Sequence, residues 1–367
     1  MSSVWIDIMT TKQVWFLGKF AQYLKDKGVD TWVTVRKYQE NTEVLERCTK
    51  SGIFNFKYEI TGVHGGQSKE GKLDSFLKRC QVHAEKLKSR KVSCAFSLSS
   101  PECARVAYGL GIPHVCTSDS PFSVAASVLT FPISEKIITS YLSDIWDFMR
   151  VGADPNKIVT FKGIDEIAWT RDFKPNPKVL DEIGLDANKP IVLVRALSPH
   201  FSENAPFFKD TETGVESIIN ELLRNCSKDV QIVAIPRYGE QGPILRKAFG
   251  NKIKVVDHTD GPSLTSHADV LISAGGTMNR EAALLGTFAI SMDPLCKHPM
   301  AYGEKFLHKK GLLLPTLDVK EATDKAIELL NDESKRKEIK KKAAALRNEL
   351  EDPIPVFHKV VSEYIKK

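Results

Sequence analysis

Two adjacent glycines, Gly275 and Gly276, stand between an apolar run and a segment with helical spacing, in "DVLISAGGTMNREAALLG". A glycine turn between a strand and a helix lets a ligand approach the backbone, and the helix N-terminus presents unpaired N–H groups with a partial positive charge. We therefore predict that Gly275, Gly276 and Thr277 bind a phosphate. Glu281 lies on the same helix face as Thr277, where its carboxylate can accept hydrogen bonds from ribose hydroxyls. The pattern is neither GxGxxG nor a P-loop, so a tight turn with an acid that stabilises the helix dipole is an equal alternative.

Further polar side chains follow other predicted strands of the second half. Arg195 ends the strand in "PIVLVRAL", where a guanidinium is placed to form two hydrogen bonds with a diphosphate. A salt bridge between domains explains Arg195 equally well. Ser198 and His200 follow in the same loop and are candidates for binding the same ligand.

Three more residues follow strands in this half and are candidates for contacting the ligand. Arg237 comes after "VQIVAIP", and Asp257 comes after "KIKVV". Asp293, in "MDPLCKHPMAYG", follows the strand after the glycine turn and its helix. A turn initiated by Asp-Pro is the alternative interpretation of Asp293.

The first half contains three candidates for acid–base chemistry. Asp119, in "CTSDSPFS", follows an apolar strand and can act as a base toward an acceptor hydroxyl or bind a sugar; alternatively, it caps the following turn. His64, in the glycine-rich loop "TGVHGGQSKEG", can hold a phosphate or transfer a proton near neutral pH, with an exposed surface histidine as the alternative. Lys12 brings a positive charge into the first loop, "MTTKQ".

The elements that must position these residues alternate along the whole chain between short β-rich runs and helical patterns. This alternation is typical of βαβ units and parallel sheets, and 367 residues are more than one hydrophobic core usually serves. The stretch 172–190 is rich in proline, asparagine and charge and is predicted to be a linker. Pro353 and Pro355 break the last helical pattern, so the final helix is free to return to the first half. Two doubly wound sheets would place the carboxyl ends of their strands on the walls of a cleft.

The glycine segment also carries a resemblance to a known fold family. "SAGGTMNREAALLGTFAISM" resembles the pattern GG-x(2–4)-E-A-x(3)-G-x-P in the second domain of GT-B-fold enzymes. These include nucleotide-sugar glycosyltransferases and non-hydrolysing UDP-N-acetylglucosamine 2-epimerases, in which the segment binds the diphosphate and ribose. Phe288 stands where relatives usually have proline. Together with "WIDIMTTKQVWFLGKF" and "GVHGG", the segment is similar to an archaeal family of GT-B-like proteins, the domain-of-unknown-function family 354, over nearly the whole chain.

The resemblance implies an α/β, GT-B-like architecture of two Rossmann-like domains facing a cleft. We expect an acceptor domain at 1–165, a nucleotide-sugar domain at 166–350 and a return helix at 351–367. The implied activity is metal-independent glycosyl transfer from a nucleoside-diphosphate sugar, UDP-linked by default, to an unknown acceptor that is free or associated with a membrane. The nucleotide sugar is a substrate, and no cofactor is expected. A 2-epimerase-like reaction and a non-catalytic nucleotide-binding protein are the alternatives.

The resemblance also suggests roles for single residues. Asp119 stands at the level where GT-B relatives place an acid facing the cleft, and either Asp119 or His64 would take the proton of the acceptor. The first loops of both domains lack the glycines common in such transferases, and the charge of Lys12 can replace that backbone access. An epimerase-like reaction would use Asp119, Lys12 and His64 around the sugar. The region of Asp257 would line the base pocket, and the loop of Asp293 would contact the donor sugar.

Composition excludes several other classes. The net charge of +6 lies largely in "ESKRKEIKKKAAALRNE", whose alternating signs favour a solvated helix face over a nucleic-acid site, since no aromatic residues are interleaved. The seven cysteines lack metal-binding spacings and are expected to be reduced and mostly buried. The sequence shows neither a membrane-spanning run nor the pattern of a signal peptide. We expect a cytoplasmic protein, with a peripheral position at the inner membrane face left open and the oligomeric state unassigned.

Overall fold

A computed structural model describes residues 3–38, 40–66, 68–196, 214–237, 239–257, 259–299 and 301–365. The chain divides into two compact units. The first unit comprises residues 1–169 together with 350–367, and the second comprises residues 170–349. Each unit contains one parallel sheet flanked by helices.

The sheet of the first unit has seven parallel strands. They are β1 (Ser3–Ile8), β2 (Asp30–Lys37), β3 (Tyr58–Val63), β4 (Val92–Leu98), β5 (His114–Thr117), β6 (Lys136–Ser140) and β7 (Ile158–Phe161). Their spatial order is β3-β2-β1-β4-β5-β6-β7, so the direction of winding reverses between β1 and β4. The carboxyl ends of the two strands at such a reversal flank the crevice where open α/β sheets bind ligands.

Helices connect these strands as the alternating pattern predicts. They are α1 (Thr11–Asp26), α2 (Asn41–Lys50), α3 (Lys69–Leu87), α4 (Pro101–Gly109), α5 (Val124–Thr130), α6 (Ile145–Met149) and α7 (Ile167–Thr170). The start of α4 shows the local cause: the Ser100 hydroxyl accepts from the backbone N–H of Cys103, and Pro101 occupies the first helical position. Both features follow from the sequence "SSPECA".

The sheet of the second unit has six parallel strands. They are β8 (Ile191–Arg195), β9 (Gln231–Ile235), β10 (Lys254–Val255), β11 (Val270–Ser273), β12 (Phe288–Ser291) and β13 (Leu313–Pro315). Their order is β10-β9-β8-β11-β12-β13, and the winding reverses between β8 and β11. The helices described in this unit are α8 (Val179–Ile183), α9 (Glu216–Asn225), α10 (Gln241–Phe249), α11 (Gly261–His267), α12 (Gly276–Leu285), α13 (Tyr302–Lys309), α14 (Val319–Leu330) and α15 (Glu333–Glu349).

The last helix, α16 (Pro353–Ser362), belongs to the first unit and packs against α1. The Asp352 carboxylate accepts from the N–H of Ile354 and caps the helix, and Pro353 occupies its first position. The Phe357 ring lies among Phe16, Phe20 and Phe96, with ring centroids 5.0–5.5 Å away. The predicted return of the C-terminal helix to the first half is thereby confirmed.

Two other expectations have different outcomes. The charged run forms α15, with Glu338 and Lys342 paired one turn apart at 2.7 Å and an inner face of Ile339, Ala343 and Leu346 buried, as predicted for a solvated helix. The prediction of a linker at 172–190 is wrong for its centre. That stretch contains the five-residue helix α8, whose Val179 and Leu180 are buried in the second unit. Two apolar residues among polar ones give no periodic signal in the sequence.

A buried charge network lies at the carboxyl end of β1. The Asp7 carboxylate, which is fully buried, accepts hydrogen bonds from the Arg79 guanidinium and from the hydroxyls of Thr34 and Ser100. Glu102 lies 3.5 Å from Arg79. Burial alone raises the pKa of Asp7, but the charge and hydrogen bonds of Arg79 outweigh it and hold that pKa well below its ordinary value.

Candidate functional site

In the first unit, three carboxylates lie around the Lys12 ammonium group. Lys12 lies in the first turn of α1, directly after β1, while Asp119 follows β5 and Asp165 and Glu166 follow β7. The Lys12 Nζ lies 2.5 Å from Asp119 Oδ2 and 2.8 Å from Asp165 Oδ2. Glu166 Oε1 lies 4.0 Å from the same nitrogen. The carboxyl ends of parallel strands share one edge of the sheet, which explains why residues so far apart in sequence converge.

Access to this cluster differs from residue to residue. The side chain of Asp119 is 20% exposed and that of Lys12 is 13% exposed. Those of Asp165 and Glu166 are only 2% and 1% exposed. Among these three carboxylates, Asp119 is therefore the one that a ligand can reach. Asp165 and Glu166 interact with Lys12 from the buried side of the cluster.

The electrostatic balance of the cluster favours a retained proton. Burial raises the pKa of Asp165 to about 6, with Lys12 opposing the rise and the carboxylates of Asp119 and Glu166 adding to it. Near pH 6 the cluster can therefore bind or release a proton close to a partly exposed carboxylate, as acid–base catalysis requires.

We expect the substitution Asp165→Asn to change how stability depends on pH. The pKa of the Asp165 carboxyl is 3.8 in the unfolded chain and is raised to about 6 in the folded protein. Between these values the folded state binds more protons, so this carboxyl lowers the free energy of unfolding by about 2 kcal/mol as pH rises from 4 to 6. Urea unfolding of parent and variant at pH 4, 5, 6 and 7 measures the difference. If the free energies of unfolding of the parent and the variant changed with pH in the same way, Asp165 would not retain its proton in the folded state, and this prediction would be contradicted.

The sequence did not single out Asp165 or Glu166. They stand in "KGIDEIAW", directly after the last strand of the first sheet. The rule that drew attention to Asp119, a carboxylate after an apolar strand, applies to them equally. The predicted domain boundary at 165/166 falls between these two residues.

The structure places His64 in a different environment from the Lys12 cluster. Its ring lies 4.2 Å from that of Tyr38, and its Nδ1 accepts from the backbone N–H of Gly66 at 3.1 Å. Burial lowers the pKa of His64, and the charges of Arg36 and Lys72 lower it further. The imidazole is thus neutral at physiological pH. Its catalytic role stays a prediction.

In the second unit, the glycine turn joins β11 to α12. Gly275 precedes the helix with φ −121°, a conformation open to any residue. Within the described residues, the nearest neighbour of a Cβ built on Gly275 is Ser273 Oγ at 3.9 Å, so the backbone there is approachable. A Cβ on Gly276 would come within 2.9 Å of Glu304 Oε1, so a larger residue there would displace the Glu304 carboxylate.

The other residues predicted for this helix lie on its first turns. Thr277 is partly exposed, and Glu281 is 8% exposed, so a ligand can reach only a small part of the glutamate. The Arg195 guanidinium, at the end of β8, lies 3.3 Å from the Met278 sulfur of α12. Arg195 is thus at the helix N-terminus, across the winding reversal, where a diphosphate would need a cation.

The remaining sequence candidates of this unit lie at the neighbouring strand ends. Asp257 pairs with Arg246 of α10. Asp293 begins a short 3₁₀ helix by accepting from the N–H of Leu295 at 2.9 Å, as the alternative interpretation of an Asp-Pro turn expects, and its contact with a ligand stays a prediction. Burial raises the pKa of Asp293, and the positive charges of Arg237 and Arg280 oppose that rise.

Ser198 and His200 lie outside the described residues, and their roles stay predictions. All seven cysteines are free, and five of them are buried, in agreement with the sequence analysis. Within the described residues, no group of three or more His, Cys, Asp or Glu side chains could hold a metal ion. The same part of the chain contains no helix long and apolar enough to cross a membrane.

Solved structures with this architecture define the class of fold. UDP-GlcNAc 2-epimerase from Neisseria meningitidis, bound to UDP-GlcNAc, superposes with a TM-score of 0.74 at 11% identity, covering 98% of this chain and 100% of that one. Anabaena Alr3699/HepE in complex with UDP-glucose gives a TM-score of 0.64 at 14% identity, covering 99% of both chains. At such identities the likeness establishes the fold alone. The predicted GT-B-like pair of doubly wound parallel sheets is confirmed.

Sequence comparison then gives the family. Residues 2–366 match the family described as "Protein of unknown function (DUF354)", and the chain belongs to this family. The uncharacterized protein MJ0665 of Methanocaldococcus jannaschii is 27% identical over 368 residues, covering 99% of this chain and 98% of that protein. The family predicted from "WIDIMTTKQVWFLGKF", "GVHGG" and the glycine segment is thus confirmed.

Proposed function

We propose that this protein is an enzyme that binds a nucleoside-diphosphate sugar and transfers the sugar to an acceptor hydroxyl. The observation that carries the proposal is the N-terminus of α12. It follows the approachable Gly275 backbone, lies beside Arg195 and stands at the winding reversal of the second sheet. Helix N–H groups and an arginine together suit a diphosphate, whose negative charge grows when the bond to the anomeric carbon breaks.

The solved structures of this fold support UDP as the first nucleotide to test. Their ligands are UDP-GlcNAc in the Neisseria meningitidis epimerase and UDP-glucose in Anabaena Alr3699/HepE. In the proposed transfer, Asp119 takes the proton of the acceptor hydroxyl as that oxygen bonds to the anomeric carbon, and the nucleoside diphosphate leaves. Lys12 and Asp165 hold Asp119 in place. We propose no metal ion and no cofactor for this reaction, and the acceptor stays unnamed.

A specific observation favours a second candidate, epimerisation of the sugar while the nucleotide is eliminated and added back. Such a reaction removes a proton from carbon and returns one to the opposite face, so it needs more than one acid–base group. Lys12 with Asp119, Asp165 and Glu166 provides several such groups within 4.0 Å of one nitrogen.

The two reactions leave different products when the protein is incubated with UDP-GlcNAc in deuterated water. Epimerisation places deuterium on the inverted carbon without any acceptor, and proton NMR detects it in the recovered nucleotide sugar. Transfer leaves that carbon unlabelled and releases UDP only when an acceptor is added. A protein that binds the nucleotide sugar, incorporates no deuterium and releases no UDP with a broad acceptor panel would be a non-catalytic binding protein.

We expect Glu281→Ala to weaken nucleotide binding. A ligand at one hundred times its dissociation constant should stabilise the parent by about 2.7 kcal/mol. Thermal unfolding against UDP, GDP, CDP, TDP and their sugars identifies that ligand, and the Glu281→Ala variant should lose most of the stabilisation because a ribose partner is gone. Glu338→Ala, an exposed site on α15, is the control and should keep it. Failure of every nucleotide to stabilise the parent would refute nucleotide binding.

A further inference from the structure

A carboxylate of the protein itself lies at the N-terminus of α12. Glu304, in the first turn of α13, has its Oε1 2.6 Å from a terminal nitrogen of Arg280, and the side chains are only 8% and 12% exposed. The same oxygen would lie 2.9 Å from a Cβ on Gly276. The carboxylate therefore sits directly against the first residue of the helix, where the partial positive charge is greatest.

Two glycines leave room for this ion pair. In addition to the close approach at Gly276, a Cβ on Gly303 would lie 2.6 Å from Cδ of Arg280. Any larger residue at either position would push Arg280 or Glu304 aside. The pair therefore depends on its surroundings for its position, unlike a surface ion pair between two mobile side chains.

Glu304 also acts on its charged neighbours. Burial raises the pKa of Asp293, and the negative charge of Glu304 raises it further, whereas the charges of Arg237 and Arg280 lower it. The anion-binding end of α12 thus already contains a negative charge of its own. An incoming phosphate would meet both the attraction of the helix and the arginines and the repulsion of this carboxylate.

We propose that Glu304 is an internal counter-anion that occupies the anion position of α12 and must be displaced from Arg280 before a diphosphate binds. This inference rests on the proposed function, in which the same helix end receives the diphosphate. A diphosphate offers more charge and more acceptor oxygens than one carboxylate, so it can displace Glu304, whereas a monophosphate gains less from the exchange. Glu304 therefore weakens the binding of every phosphate ligand at this helix end by the free energy needed to displace it, and only a ligand with a large gain binds tightly.

Isothermal titration calorimetry with inorganic pyrophosphate, UDP and UMP tests this role. We expect Glu304→Gln to bind pyrophosphate and UDP about tenfold more tightly than the parent, because a like charge is removed from the position of the ligand. The affinity for UMP should rise by no larger a factor, because UMP carries less negative charge and was repelled less by Glu304. Glu338→Gln removes the same charge from the exposed face of α15 and should change each affinity less than about twofold.

Glu304→Asp keeps the charge but, with a shorter side chain, moves it away from Gly276. This variant should tighten binding by a factor between those of the parent and Glu304→Gln. It provides a second test if the glutamine variant folds poorly. Unchanged or weaker binding of UDP by both variants would overturn the inference, since Glu304 would then support the ligand or play no part. Absence of pyrophosphate binding in parent and variants would overturn it as well. If pyrophosphate binding tightens as expected but UDP binds no better than pyrophosphate, the counter-anion role stands and the nucleotide-binding proposal fails.

Discussion

Replacing Lys12 with methionine is expected to lower the free energy of unfolding of the first unit by about 3–5 kcal/mol at pH 7. Methionine retains most of the aliphatic stem but leaves Asp119 and Asp165 without the ammonium group that lies 2.5 and 2.8 Å from them. The Asp165 side chain is almost fully buried, so water cannot replace the lost cation. Urea unfolding followed by tryptophan fluorescence measures the loss. Protonation of Asp165, whose pKa is raised to about 6, should reduce it at pH 5.

Two control variants separate charge from packing at this position. Lys78→Met removes a lysine whose side chain is 74% exposed and pairs with Asp74, and it should cost less than about 1 kcal/mol. Lys12→Arg keeps the positive charge and should recover part of the stability. If Lys12→Met costs no more than Lys78→Met, the carboxylates do not depend on Lys12, and the cluster loses its place in the proposed site. Turnover of a nucleotide sugar, once identified, should fall at least about 100-fold in Lys12→Met.

Replacing Arg79 with methionine is expected to cost about 3–5 kcal/mol as well, because it leaves a buried carboxylate without its cation. Arg79 and Asp7 are both fully buried, and one terminal nitrogen of Arg79 lies 3.0 Å from Asp7 Oδ2. Arg79 Nε also donates to the Thr61 carbonyl at 2.8 Å, which joins β3 to β1 through a side chain of α3.

A double-mutant cycle with Asp7→Asn measures this coupling. The substitution Arg79→Met should be considerably less damaging when Asp7 is already neutral, so the two losses should not add. The folded-state pKa of Asp7 is depressed, so its contribution to stability is present above the ordinary pKa and is lost as pH falls below that value. The difference between parent and Arg79→Met should therefore shrink in acid. Additive losses would contradict a direct interaction between the two residues.

Local patterns predicted the elements of the fold because they depend on neighbouring residues. The alternation of apolar strands and amphipathic helices indicates parallel sheets, Ser100 and Pro101 predict the start of α4, and Gly275 with Gly276 predicts the turn before α12. The same local reasoning treated 172–190 as a linker, since the two buried residues of α8 are too few to form a period.

Long-range contacts account for what the sequence could not predict. Lys12 and Asp165 are separated by 153 positions, and the spatial order of strands, which no local pattern encodes, brings their loops together. The same holds for Arg280 and Glu304, since only the folded second unit shows that glycines at 276 and 303 make room for their ion pair. Asp119 and Lys12 could each be identified as candidates from their own loops, but the ion pair between them could not be predicted.

If the backbone before α12 binds the diphosphate of a nucleotide, the amides of Gly275 and Gly276 must respond to UDP, and NMR on glycine-labelled protein detects that response. Spectra would be recorded with and without UDP, and the resonances of Gly275 and Gly276 would be assigned from single alanine variants. We expect large shifts of these two amides on adding UDP, with exposed glycines elsewhere, such as Gly52 and Gly111, unchanged. Saturable UDP binding that leaves the amide resonances of Gly275 and Gly276 unshifted would contradict diphosphate binding at this turn.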